Sequence, residues 1–148
     1  MKPAIHAAAG SVAMLCILSF WTSTAVAELF LAPDAVVAVK QAVLHGMWLL
    51  IPAMAIVGSS GFSLARSRAG RLLEAKRKRM PIIAGNGLLI LVPAAFFLSR
   101  KATAGEFDAT FYTVQAVELA VGLVQLTLMA LNFRDGLKLA GRLRHAHA

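Results

Sequence analysis

Arg66-Ser-Arg68-Ala-Gly-Arg71-Leu-Leu-Glu74-Ala-Lys76-Arg77-Lys78-Arg79 is the stretch whose reading decides the fold. It holds seven of the fifteen Lys and Arg residues, and long apolar runs flank it on both sides. A basic segment between two apolar spans marks the cytoplasmic side of a membrane. Its cations, Arg66, Arg68, Arg71, Lys76, Arg77, Lys78 and Arg79, are placed to meet anionic lipid headgroups.

Composition points the same way. The 148 residues are 59% hydrophobic and 15% charged, with a mean hydropathy of +0.73. A soluble domain is nearer ~45–50% apolar and about a quarter charged. A span needs roughly 20 apolar residues, so one integral membrane domain accounts for residues 1–148. The net charge of +8 is unevenly spread. Seven cations against Glu74 give +6 over 66–79, and Arg134, Lys138, Arg142 and Arg144 against Asp135 give +3 in the tail. The intervening segments are neutral or slightly acidic. That alternation follows the positive-inside rule and argues against nucleic acid, whose binders present a basic face on a soluble fold. Cys16 is the sole cysteine, so neither an intrachain disulfide nor a cysteine metal cluster forms.

The first apolar run, about 4–27, has two open readings. One is a retained helix. The other is a signal peptide, with Lys2 as the basic start and Ala25-Val26-Ala27 as a cleavage site. The run is longer than a signal core and contains Trp21, which favours the retained helix. Small residues from Ala7 to Ser11 suit close helix packing. Pro33-Asp34 starts a second helix, about 35–65, with Asp34 as cap and Pro52 as a kink. The basic segment is expected to be a loop over 66–80. Met80-Pro81 then opens a third helix, about 81–99, with Pro93 as a second kink. Arg100 and Lys101 end it, and Glu106 and Asp108 offset them. Gly105-Glu-Phe-Asp108 makes a turn before a fourth helix, about 109–133. Arg134-Asp135-Gly136 closes that helix, and the tail over 134–148 either continues as an amphipathic piece or frays. The expected fold is all-α: a four-span transmembrane helical bundle in the inner (plasma) membrane, with both termini cytoplasmic.

Ionisable groups inside a membrane need a reason. Phe111, Gln115, Glu118, Gly122, Gln125, Met129 and Asn132 share one face of the fourth helix at a 3.6-residue period. Such a stripe must face protein or water rather than lipid. His45, on a face with Gln41 and Trp48, lies at a similar depth to Glu118, and a His45–Glu118 pair is the expected proton or ligand site. Lys40, Gln115 and Trp48 complete this outer polar layer. His6, Asn86 and Gln125, with Ser59 or Ser60, form an expected inner layer. Haem is the cofactor to consider, with His45 and His6 as candidate axial ligands, but their depths differ too much for one chain to clamp it between them. His145-Ala-His147 lacks a third metal ligand. Glycine-rich phosphate loops and His-Glu-x-x-His are missing, and Gly58-Ser59-Ser60-Gly61 lacks a strand–turn–helix setting.

The leading functional expectation is a non-enzymatic accessory or partner-binding membrane protein, possible as a homodimer. A proton-coupled or redox component, using haem or quinone, is the alternative. A small oligomeric transporter is the third.

Overall fold

The computed structural model describes residues 3–66 and 71–145. Four helical columns run antiparallel: α1 (Pro3–Phe30), α2 (Pro33–Arg66), a third made of α3 (Arg71–Gly85), a π-helical segment (Asn86–Leu91) and α4 (Val92–Thr103), and α5 (Ala109–His145). Each column contains a stretch long and apolar enough to cross a membrane. His6 of α1 meets Ser60 of α2 and Lys76 of α3, and Arg79 of α3 meets Asp135 of α5. The start of α1 and the C-terminal part of α5 therefore lie at the end of the bundle that carries the basic segment, here called the basic end.

Bulk hydrophobic residues face outward. Trp48 is 84% exposed and Leu89 77%. In water such an exterior would be a severe liability, whereas in lipid it is the solvent-matched surface. The interior is built from small and medium side chains, because helices in lipid gain by approaching closely. Ala13, Ile17, Ala53, Ile83 and Met129 pack near the basic end. Val43, Met47 and Ala95 form the middle. Ala27, Val36, Leu98, Ala102 and Phe111 close the distal end. Two glycines permit close crossings: a Cβ on Gly46 would collide with the Phe20 ring, and one on Gly122 would lie 2.8 Å from Trp21 Cδ1.

Three features differ from expectation. The basic segment is not a loop throughout, since helix begins at Arg71 and continues through Pro81. Leu, Glu, Ala, Lys and Arg all favour helix, and two of the cations find partners inside the bundle. The fourth helix does not stop at Arg134-Asp135-Gly136 but runs on to His145, because Asp135 is held by Arg79 rather than left to water. At Pro93 the backbone widens instead of simply bending. Val92 N–H bonds Gly87 O, an i→i+5 pattern, just before a residue with no N–H to give. The wider turn relieves the clash between a proline ring and the carbonyl one turn earlier. By contrast, α2 runs on through Pro52.

The distal turn is capped on both sides. Ala104 N bonds Arg100 O at 3.0 Å and Glu106 N bonds Lys101 O at 2.9 Å, while Gly105 takes φ +73°, where a side chain would strain the backbone. Asp108 then accepts from Phe111 N at 2.9 Å as the N-cap of α5. The Lys101 ammonium bonded to it, together with the Phe111 amide, holds the Asp108 carboxyl below its ordinary range. A depressed folded-state pKa stabilises above the unfolded value of about 3.9. We therefore expect Asp108→Ala to lower the melting temperature in detergent above about pH 4. The difference from wild type should shrink as pH falls through the depressed pKa, as thermal scans across pH would show.

Candidate functional site

Lys40 is 2% exposed although it lies within a candidate span. Its position on α2 follows from helical spacing: Val36, Lys40, Val43 and Met47 share the buried face. Lys40 Nζ donates to Glu118 Oε2 at 2.9 Å and to Gln115 Oε1. Gln115 Nε2 donates to the same Glu118 oxygen at 2.9 Å. An ammonium, a carboxylate and an amide thus satisfy one another between α2 and α5. Glu28 of α1 stands within Coulombic reach of both Lys40 and Glu118, and its Oε1 is buried without a hydrogen-bond partner.

The expected His45–Glu118 pair does not form. Lys40 and His45 are five residues apart, about 140° around a helix, so turning Lys40 inward turns His45 outward. His45 is exposed and its Nδ1 bonds Gln41 O at 2.8 Å. Trp48 faces outward on the same side. Gln41 instead reaches α4, donating to Ser99 Oγ at 3.2 Å and Thr103 Oγ1 at 2.9 Å. The α5 stripe does face inward: Phe111, Gln115, Gln125 and Met129 are buried.

The expected inner layer is rearranged as well. His6 Nδ1 lies 2.8 Å from Ser60 Oγ, and Lys76 Nζ lies 3.3 Å from His6 Nε2. Ser60 gives its own proton to Ile56 O, so the network assigns the Nδ1–H tautomer, with Nε2 accepting from Lys76. Gln125 is not part of this cluster. Its Nε2 donates to Ile83 O at 3.0 Å, and its Oε1 is buried without a partner. Asn86, half-buried, opens the π-helical segment.

Two of the expected headgroup cations turn inward. Arg79 Nη1 donates to Asp135 Oδ2 at 2.7 Å and to Asn132 Oδ1 at 3.4 Å, and Asp135 is only 3% exposed. Lys76 is half-buried against His6. Arg77 and Lys78 are exposed. Arg68 lies outside the described residues, as do the side chains of Arg66 and Arg71 and the pair at 145 and 147. Haem finds no fit between His6 and His45. Both His6 nitrogens are engaged, and its partner Ser60 is fifteen residues, about 22 Å, along α2 from His45.

All four columns enclose a cavity of about 270 Å³. Its wall is almost wholly apolar, with Phe20, Trp21, Met47 and Leu91 prominent and Glu118 and Gln125 contributing from α5. Trp21 is fixed there by Nε1 donating to Leu119 O at 2.9 Å. The π-helical segment supplies Gly87, Leu88 and Leu91, so the widened turn shapes one side. Ile51 and Leu88 line the cavity and are also exposed on the outer surface. These two residues are the large exposed members of the lining on α2 and the π-helical segment. Alternating sequence patterns could reveal the stripe on α5 but not this void, which depends on how the columns diverge.

Comparison with protein-family models, characterised proteins and solved structures yields no match for this chain.

Removing one partner of a buried charge pair strands the other. Lys40→Met is expected to destabilise the bundle by about 3 kcal/mol. The double variant with Glu118→Met should recover most of the loss, because no stranded charge remains. Denaturant titration of the two singles and the double in detergent measures the coupling directly.

Proposed function

We propose that this chain is a small multi-pass protein of the inner (plasma) membrane that works without catalysis, as a binding module for a lipophilic molecule drawn from the bilayer. The observation that carries the proposal is the cavity at the centre of the bundle, apolar in lining, with Ile51 and Leu88 of that lining exposed on the bundle's surface. A dry apolar void of ~150 Å³ already takes a benzene-sized molecule. A cavity of about 270 Å³ suits one ring with substituents or a short branched chain. In this reading the ligand enters between α2 and the π-helical segment, where Ile51 and Leu88 are exposed, without passage through water. An accessory role within a larger membrane assembly belongs to the same class, with the ligand held on behalf of a partner.

The basic end is assigned to the cytoplasm, with Arg77 and Lys78 against anionic headgroups. In a Cys16→Ser background, Ala104→Cys should react with an impermeant maleimide on intact cells. Lys78→Cys should react only after permeabilisation. The reverse pattern would invert the assignment.

The chain has two tryptophans, Trp21 on the cavity wall and Trp48 on the outer surface. That arrangement gives a direct test with 4-bromotoluene, a heavy-atom quencher, in neutral maltoside micelles. In Trp48→Phe, Trp21 emission should fall saturably with probe. In Trp21→Phe, Trp48 emission should fall only in proportion to bulk partitioning. Proportional quenching of both tryptophans would refute the cavity as a binding site.

A further inference from the structure

The columns meet at the basic end around one imidazole. His6 of α1 has Ser60 Oγ of α2 at 2.8 Å from Nδ1 and Lys76 Nζ of α3 at 3.3 Å from Nε2. Lys76 in turn lies against α5, since a Cβ on Gly136 would stand 3.8 Å from its Nζ. The α2 backbone also passes close by: a Cβ on Gly61 would collide with Met80 Cε and lie 3.3 Å from His6 Cε1. The Lys76–His6 bond sets a condition on charge. An ammonium has three donors and no lone pair, and an imidazole accepts only while neutral. A proton on His6 Nε2 replaces that bond with two cations facing each other.

The surroundings hold little to neutralise a second cation. On α2 the facing groups, Ser60 and Gly61, do not titrate. On α3 Arg79 is a further cation, while Glu74, Arg77 and Lys78 are exposed. On α5 the buried carboxylate is Asp135, already bonded to Arg79 at 2.7 Å with Arg134 at 3.6 Å, and Lys138 is exposed. Among the described residues, Lys76 and Arg79 therefore outnumber the one buried carboxylate before His6 takes a proton.

We infer that the basic end is a proton-sensitive junction, in which neutral His6 ties the start of α1 to α2 and α3 and a proton on His6 releases it. Imidazole is the side chain whose charge ordinarily changes between about pH 5 and pH 8. The neutral form makes the bond, so the junction is closed at the upper end of that range and opens as pH falls. The opening is local, because the Arg79–Asp135 bond holds α3 to α5 without His6. On the topology proposed above, the proton comes from the cytoplasm.

The test is a distance measurement by pulsed electron paramagnetic resonance on the full chain in neutral maltoside micelles. In a Cys16→Ser background, spin labels go on Ala4→Cys and Lys78→Cys, both exposed. A second pair, Leu31→Cys and Ala104→Cys, reports on the distal end. The first pair should give one short distance at about pH 8, with a longer one growing in toward about pH 5. The ratio of short to long should fall by up to about tenfold per pH unit, the limit for uptake of one proton. The distal pair should not change. His6→Gln keeps a donor and an acceptor but takes up no proton, and should hold the short distance throughout. Lys76→Gln keeps a donor for His6 Nε2 without the opposing charge, and should leave the distance nearly independent of pH. A wild-type distance that does not move across this range overturns the inference, and so does a response that survives in either variant. If His6→Gln fails to fold, as a changed distal distance would show, Lys76→Gln decides.

Discussion

A lysine ammonium out of reach of water has to be neutralised by groups of its own chain, and Lys40 sets that requirement in this bundle. The idealised cost of moving such an ion into a low-dielectric medium is on the order of 20 kcal/mol. Lys40 meets the requirement through Glu118 and Gln115, which fixes the rotation of α2 and α5 about their axes. Once Lys40 points inward, Val36, Val43 and Met47 follow it into the core, and His45 and Trp48 are carried to the outside. On α5, Phe111, Gln115 and Gln125 are likewise committed to the interior. Hydrophobicity alone cannot make that choice, because a leucine is as well solvated by lipid as by a neighbouring helix. In this bundle polar groups determine the facing of the helices, and apolar groups fill what remains.

The central void has a local cause in the backbone. Pro93 cannot continue the hydrogen-bond ladder of a regular helix, and the chain answers with a wider turn over Asn86–Leu91. That turn presents Gly87 where a larger side chain would begin to fill the interior; a Cβ there would stand 3.8 Å from Gln125 Nε2. Proline and glycine act together: one widens the helix, and the other leaves the widened face bare. Close packing is meanwhile kept nearby, where Trp21 lies over Gly122 and Phe20 over Gly46. The bundle is tight at its crossings and open at its centre.

Much of this was legible in the residues. Apolar runs broken at Pro33-Asp34 and Gly105–Asp108 gave four helices that could cross a membrane, and the period of Phe111, Gln115, Glu118 and Gln125 marked the inward face of α5. What sequence spacing misjudged was the partner of Glu118. Depth alone made His45 and Lys40 comparable candidates, and lysine is more readily assumed to snorkel toward the surface. Only the rotation of α2 separates them, and that rotation is a tertiary fact. The same holds for Arg79 and Lys76. In sequence they belong to a uniform run of cations, yet on a helix Arg79 faces α5 while Arg77 and Lys78 face away. A charge run read as a loop has no faces, and once it is helical each residue has its own environment.

The Arg79–Asp135 bond has a consequence in time. Asp135 belongs to α5, fifty-six positions after Arg79. While the first three columns emerge, the Asp135 carboxylate is not yet there to meet Arg79. Arg79 is then one more cation beside Arg77 and Lys78, in the kind of run that biases the orientation of nascent membrane chains. When α5 docks, that charge is withdrawn into a buried pair. The same guanidinium is thus one of a run of cations before α5 docks, and afterwards a latch that joins α5 to the rest.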